Sequence, residues 1–286
     1  MKFLIALFII LTNSISIARG QNCDESLQSE ILKSVKLSGF NCTKLTIDNC
    51  SFNECTGTLG SYPAPVLITI PARTNSFRVH FHGHHLGLPE TKPYEESLSQ
   101  MIKAFGIDKS LCASSEVAVF PRSIGKNSTY QEYFKNTESY TQFFKSVKST
   151  LGNSLEDSQL HLSGHSGGGK YVAGALDAEI KTSKVSIYDG IYSSETKNSL
   201  KKWYKEGNGK LTIGTIKGMK PDKFSAELRD DLPIKITSKK SSINGTIYDV
   251  HLAKNFVNYS RYAGEAGSTK AHFDVLSQIW PLEKME

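Results

Sequence analysis

Short apolar runs rich in β-branched residues recur along the chain and alternate with longer stretches whose apolar residues fall at helical spacing. Runs of the first kind predict strands at 66–70, 77–81, 116–120, 160–162, 184–188, 210–216 and 234–237. The longer stretches predict helices at 97–107, 139–152, 168–180 and 198–207. Strands that alternate with helices favour right-handed crossovers and a largely parallel central sheet, so the predicted fold class is α/β. The first two strands are joined by the short segment 71–76, which predicts an antiparallel hairpin leading into that sheet.

The first 20 residues have the organisation of a secretory signal peptide. Lys2 precedes nine apolar residues, 3–11, which are followed by a polar segment and by the small residues Ala18 and Gly20. Nine apolar residues are too few to cross a bilayer, which takes about 20. We therefore predict that segment 1–20 is removed and that the product is secreted or periplasmic, without stable membrane insertion.

Length and cysteine content divide the remaining chain into two parts. Four of the five cysteines lie within 21–60, which we interpret as a small Cys-rich N-terminal appendage to a single domain at 61–286. Disulfides are plausible there in an oxidising compartment, and three pairings of the four are possible. The cysteines are Cys23, Cys42, Cys50 and Cys55, with Cys112 left over. The net charge of +6 comes from scattered Lys and Arg, so no nucleic-acid partner is predicted.

The segment 160–176, LHLSGHSGGGKYVAGAL, fits two unrelated motifs. From Gly164 it reads G-x-x-x-x-G-K, but Tyr171 follows the lysine where a phosphate loop needs Ser or Thr to bind Mg²⁺. Around Ser166 it reads G-x-S-x-G, a strand-to-helix turn that presents a nucleophilic serine. The short apolar strand before it and the helical pattern after it favour the serine turn. We therefore predict no nucleotide cofactor.

A serine needs a base and an oxyanion site, and candidates for both are present. Asp189 ends the strand after the serine turn, and His272 lies in a predicted loop before the last helix. Backbone N–H groups of His84, after the strand 77–81, and of Gly167 are the candidate oxyanion donors. Ser, then Asp, then His is the triad order on α/β-hydrolase scaffolds.

From about residue 60 to its end, the chain resembles a secreted member of the α/β-hydrolase superfamily. The matching pieces are a strand followed by HG, a strand followed by GHSGG and a helix, a strand followed by DG, and a late histidine. The resemblance implies an α/β-hydrolase fold with helices on both faces of the sheet, a Ser166 nucleophile, a His272 base and an Asp189 orienting acid. Many members carry the acid after the next strand, where Asp222 is the alternative.

A second resemblance is to metallo-β-lactamase-like zinc hydrolases. HFHGHH is close to their H-x-H-x-D-H motif, and the zinc ligands would be His80, His82, His85, His165, Asp189 and His272. Against it, His84 occupies the place of the motif's aspartate, and 168–180 is predicted to be a helix. Outside the zinc motif, we expect His165 to pack or hydrogen-bond locally.

The sequence thus predicts a serine hydrolase that acts on an ester or amide of a small molecule or polymer, without metal or organic cofactor. A non-catalytic binding protein on the same fold is the alternative of a different class. The substrate and the oligomeric state are left open.

Overall fold

The structure is a computed structural model that describes residues 37, 39–47, 50–71, 76–83, 102, 107, 110–111, 116–123, 130–151, 160–264 and 267–284. The predicted signal peptide, Cys23, Cys112 and the predicted helix at 97–107, apart from positions 102 and 107, lie outside these residues.

Eleven strands form one sheet in the order β1-β2-β3-β5-β4-β6-β7-β8-β11-β10-β9. The strands are β1 Asn41–Ile47, β2 Cys50–Gly57, β3 Val66–Pro71, β4 Ser76–Phe81, β5 Glu116–Pro121, β6 Leu160–His165, β7 Lys184–Tyr188, β8 Lys210–Ile216, β9 Thr237–Ile243, β10 Thr246–Ala253 and β11 Phe256–Arg261. The helices of the described chain are α1 Thr137–Leu151, α2 Gly169–Asp177, α3 Ser194–Lys205, α4 Lys220–Asp231 and α5 Gly267–Ile279. Two 3-10 turns, Ser166–Gly168 and Trp280–Lys284, precede α2 and follow α5.

Six adjacent strands, from β5 to β11 in the sheet order, run parallel, and antiparallel strands extend the sheet on both sides. The helices α1, α2 and α3 connect β5 to β6, β6 to β7 and β7 to β8, and a serine turn lies between β6 and α2. The predicted α/β-hydrolase fold is confirmed. Within the described part of the chain, no helix is long and apolar enough to cross a membrane.

Two details of the predicted sheet are wrong. The strands β3 and β4 do not form a hairpin, because β5 lies between them, antiparallel to β3 and parallel to β4. A four-residue connection reaches about 13 Å, enough to pass over one intervening strand. The strand predicted at 234–237 begins only at Thr237, because Ile234 and Ile236 pack against the core instead of pairing.

Alternation along the strands gives the sheet two different faces. One face is apolar and packs on α1, α2 and α3, through Phe77, Val79, Leu162, Ile187, Phe143, Val172 and Leu200. The other face packs on α5 and Trp280, and it carries buried polar side chains of β4, β6 and β7 among its apolar ones. The residues of the candidate site lie at the ends of these strands.

The described part of the N-terminal appendage is a β-hairpin. Cys42 and Cys55 are opposite each other in the β1–β2 pair and form a disulfide, which is one of the pairings left open by the sequence. Because β2 also pairs with β3, the hairpin continues the main sheet at its edge. The domain boundary at residue 60 stays a prediction.

Candidate active site

Ser166 occupies a sharp turn between β6 and α2. It has a φ of 52°, in the left-handed region that non-glycine residues rarely adopt, and its side chain is half-buried. The turn is held tightly against β4, since a Cβ added to Gly168 would lie 1.9 Å from the carbonyl oxygen of Phe81. Glycine is therefore required at 168. An observed backbone outlier of this kind, kept in place by its surroundings, points to a functional position.

The end of β4 approaches the serine from one side. A Cβ added to Gly83 would lie 2.5 Å from the Cβ of Ser166 and 3.1 Å from its Oγ. Only glycine leaves room for the serine hydroxyl there. Gly167 lies in the first turn of the helical segment, where backbone N–H groups favour negative charge. His84, the other predicted oxyanion donor, lies outside the described residues.

Asp189 and His272 are in direct contact, although 83 residues separate them in the chain. Asp189 follows β7 directly and is buried, and its Oδ2 lies 2.5 Å from Nδ1 of His272. Its Oδ1 accepts a hydrogen bond from the backbone N–H of Ile216 at 3.3 Å. Because the carboxylate is an acceptor, Nδ1 of His272 carries a proton and Nε2 faces away from Asp189.

The predicted loop position of His272 is wrong. It lies in the second turn of α5, between Gly267 and Ile279. The last helix begins at Gly267, five residues before His272, and not after the histidine as predicted. The helical backbone, packed on β7 and β8, carries the imidazole to the end of the sheet.

Asp222, the alternative acid, has other partners. Its Oδ1 accepts from the hydroxyls of Thr215 at 2.9 Å and Ser260 at 2.6 Å, and its Oδ2 accepts from the backbone N–H of Gly218 at 3.0 Å. These bonds tie the first turn of α4 to β8 and β11. The structure therefore brings Asp189, and not Asp222, to His272.

His165 bonds across the site, whereas a local role was predicted. Its Nε2 lies 2.9 Å from the backbone oxygen of His272, and the two imidazole rings lie 4.5 Å apart at an angle of 35°. Burial, together with the neighbouring His272, lowers the pKa of His165 to about 3. The ring is therefore neutral, and Nε2 holds its proton because a carbonyl oxygen can only accept.

Tyr192 lies close enough to Ser166 and Asp189 for both side chains to influence its hydroxyl. The ring is 37% exposed and follows Asp189 by three residues. Burial of the hydroxyl and the charge of Asp189 raise its pKa to about 12, so it stays protonated at neutral pH. The sequence did not single Tyr192 out as a site residue, because an aromatic side chain just after a strand end more often packs in the core.

Buried charges fix the segment that follows α5. Arg78 of β4 donates to Glu116, to the Tyr188 hydroxyl and to Glu283, and its guanidinium lies 3.8 Å from the ring centre of Trp280. Burial opposes the charge of Arg78, but these acidic partners outweigh it and raise its pKa. Sequence reasoning missed this cluster, since its members are far apart in the chain.

The histidines proposed as zinc ligands use their ring nitrogens elsewhere. Nε2 of His82 accepts from the backbone N–H of Ser123 at 3.2 Å, so its Nδ1 donates to the Gly83 oxygen at 2.8 Å. Nδ1 of His80 bonds the Ser163 hydroxyl at 2.9 Å. Among the described residues, no three His, Cys, Asp or Glu side chains are placed to hold a metal ion. His85 lies outside that part of the chain.

The fold of the chain also disagrees with the zinc alternative. The segment after the serine turn is the helix α2, and the sheet is that of an α/β-hydrolase. The donor arrangement and the topology together do not fit a metallo-β-lactamase-like centre.

No protein-family profile and no curated protein match the chain. Among solved structures, it is similar to an arylesterase with 11% identity and a TM-score of 0.40, over 94% of this chain and 93% of that one. It is also similar to a glucuronoyl esterase from Solibacter usitatus with 11% identity and a TM-score of 0.42, over 88% of this chain and 91% of that one. A likeness this distant says nothing about the chemistry of this chain, which has to be argued from its own residues.

Proposed function

We propose that the protein is a serine hydrolase that cleaves a carboxylic ester or amide through an acyl-enzyme. The observation that carries the proposal is the 2.5 Å contact between Asp189 and His272, together with the bond from His272 to His165, the residue directly before Ser166 in its strained strand-to-helix turn. The three side chains come from three different elements, and ligand sites of α/β sheets gather beyond the carboxyl ends of the strands. In this proposal Ser166 is the nucleophile, His272 the base and Asp189 the acid that orients it.

The proton transfers follow from the tautomer that Asp189 imposes. Nε2 of His272 takes the Ser166 proton as Oγ bonds to the substrate carbonyl carbon, and the carbonyl electrons move to its oxygen. The tetrahedral intermediate then breaks its bond to the leaving group, which receives the proton from Nε2. Water repeats the sequence on the acyl-serine and releases a carboxylic acid and the free enzyme. Asp189 keeps its bond to Nδ1 and stabilises the imidazolium.

The developing oxyanion would be held by backbone donors. The Gly167 N–H stands at the start of a helical segment, and the second donor in the proposal is the N–H of His84. Donors held in place before the reaction need no reorganisation in the transition state. Loss of one such donor typically costs about 100-fold to 1,000-fold in kcat.

The proposed site of action is outside the cytoplasm. The Cys42–Cys55 disulfide supports this, because disulfides persist mainly in oxidising compartments. The signal-peptide pattern of residues 1–20 is the second support. The substrate in this proposal is a small-molecule or polymeric ester or amide met in that compartment.

The test is turnover of p-nitrophenyl acetate and of a matched p-nitroanilide by the wild type and by Ser166→Ala and His272→Ala, each with and without a chelator. The proposal expects turnover of at least one substrate, a loss of several orders of magnitude in both variants and no effect of the chelator. Wild-type rates in Ser166→Ala would refute it. A folded wild type that binds esters or amides without hydrolysing them would favour the non-catalytic binding protein instead.

A further inference from the structure

His165 joins the nucleophile turn to the helix of the proposed base. It is the residue directly before Ser166, yet its Nε2–H donates to the backbone oxygen of His272, 107 residues away. Its ring lies against the His272 ring with 4.5 Å between the centroids. The side chain is 1% exposed, so water does not compete for this bond.

We propose that His165 is a positioning residue, which sets the distance and orientation of the His272 imidazole relative to Ser166. This deepens the proposed function and rests on it. The side chain does not touch the substrate in this proposal. It acts through the backbone and the ring of His272.

Two separate contacts fix the base. Asp189 bonds Nδ1 of His272, which determines the tautomer and holds that edge of the ring in place. The bond from His165 fixes the backbone carbonyl of the same residue, and ring contact restricts rotation of the imidazole. His272 lies in α5, which packs on β7 and β8, and the bond from His165 adds a direct link between this helix and the end of β6. Since β6 ends at His165, directly before Ser166, the link joins the two reacting side chains through rigid elements.

The charge state of His165 suits this role. A cationic ring 4.5 Å from His272 would oppose the imidazolium that forms during the reaction. Burial keeps His165 neutral, with its pKa lowered to about 3. A neutral ring donates from Nε2 and adds no repulsion.

The experiment compares three variants of the full mature chain. His165→Gln keeps an N–H donor near the position of Nε2, and His165→Leu removes it at similar volume. His80→Leu is the matched control, since His80 is equally buried and bonds Ser163 within the sheet. Steady-state kcat and KM for p-nitrophenyl acetate and the free energy of unfolding are measured for each, with Ser166→Ala as the reference for the proposed function.

We expect His165→Leu to lower kcat about 100-fold with little change in KM, as a displacement of about 1 Å in a reacting group does. His165→Gln should recover most of that loss. His80→Leu should lower the free energy of unfolding about as much as His165→Leu does. It should leave kcat within a few-fold of the wild-type value.

A His165→Leu protein with wild-type kcat, while Ser166→Ala is inactive, would overturn the inference and leave the proposed function in place. Equal losses in His165→Gln and His165→Leu would also overturn it, because a restored donor would then have no effect. If His165→Leu does not fold, the comparison of His165→Gln with the wild type decides, and a 100-fold loss there counts against the inference. An active Ser166→Ala would refute the proposed function itself.

Discussion

Replacing Asp189 by asparagine should disable the base while leaving the fold intact. An asparagine side chain has an oxygen that accepts and an NH₂ group that donates. The two positions that these groups would occupy face the Ile216 N–H and Nδ1 of His272. With its oxygen toward the Ile216 N–H, it directs its NH₂ group at Nδ1 of His272. That contact makes Nδ1 an acceptor and moves the proton to Nε2, which then cannot take the proton of Ser166. The opposite orientation places two donors against each other at Ile216.

The size of the loss follows from this change of tautomer. The same substitution in the worked serine-protease triad lowers kcat about 10,000-fold with unchanged geometry, and we expect a loss of that order here. Asp222→Asn is the matched control. It loses one acceptor, at the Gly218 N–H, and we expect about 1–3 kcal/mol less stability with a kcat close to that of the wild type.

The assay is steady-state hydrolysis of p-nitrophenyl acetate at pH 7.5, with circular dichroism to verify the fold of both variants. A kcat for Asp189→Asn within tenfold of the wild type would refute the reasoning about the tautomer. Collapse of the Asp222→Asn variant alone would transfer the role of the acid to Asp222.

Two further predictions concern stability. Burial lowers the pKa of His161 to about 4 and of His165 to about 3, so between the ordinary histidine pKa of about 6.5 and these values the unfolded chain binds protons that the folded chain does not. The free energy of unfolding, measured in urea, should fall by up to about 1.4 kcal/mol per pH unit for each histidine, and by about 3 kcal/mol for the two together from pH 6.5 to 5, because the unfolded histidines are already half protonated at pH 6.5. Equal values at both pH values would contradict this. The double variant Cys42→Ser, Cys55→Ser opens a loop with a sequence separation of 13 and should lower the free energy of unfolding by about 2–3 kcal/mol. The value of kcat should not change, because the hairpin lies at the edge of the sheet. A large loss of kcat would contradict that placement.

The sequence was sufficient for the parts of the fold that depend on local pattern. The strands β3 to β8 were predicted within a few residues, because these buried strands are short, largely apolar runs. The exposed strands β1 and β9 were missed as strands over most of their length, since their residues are largely polar and exposed. The pairing of β3 with β5 was beyond reach, because a short connection fits either a hairpin or a crossover.

The candidate site divides in the same way. Ser166 and Asp189 are marked by local signals, a glycine-flanked turn and a strand end. The choice between Asp189 and Asp222 could not be made from sequence, because both follow strands and only contact with His272 separates them. The bond from His165 to His272 joins positions 107 residues apart and has no local signature.

The proposed acyl-enzyme requires a nucleophilic Ser166, and a fluorophosphonate probe would label that side chain covalently. The mature protein is treated with the probe, digested and mapped by mass spectrometry, alongside Ser166→Ala and a chelator-treated sample. We expect one adduct, on the peptide that contains Ser166, no adduct in Ser166→Ala and full labelling in the presence of chelator. An adduct that persists in Ser166→Ala, or a folded and active wild type that takes no label, would contradict it.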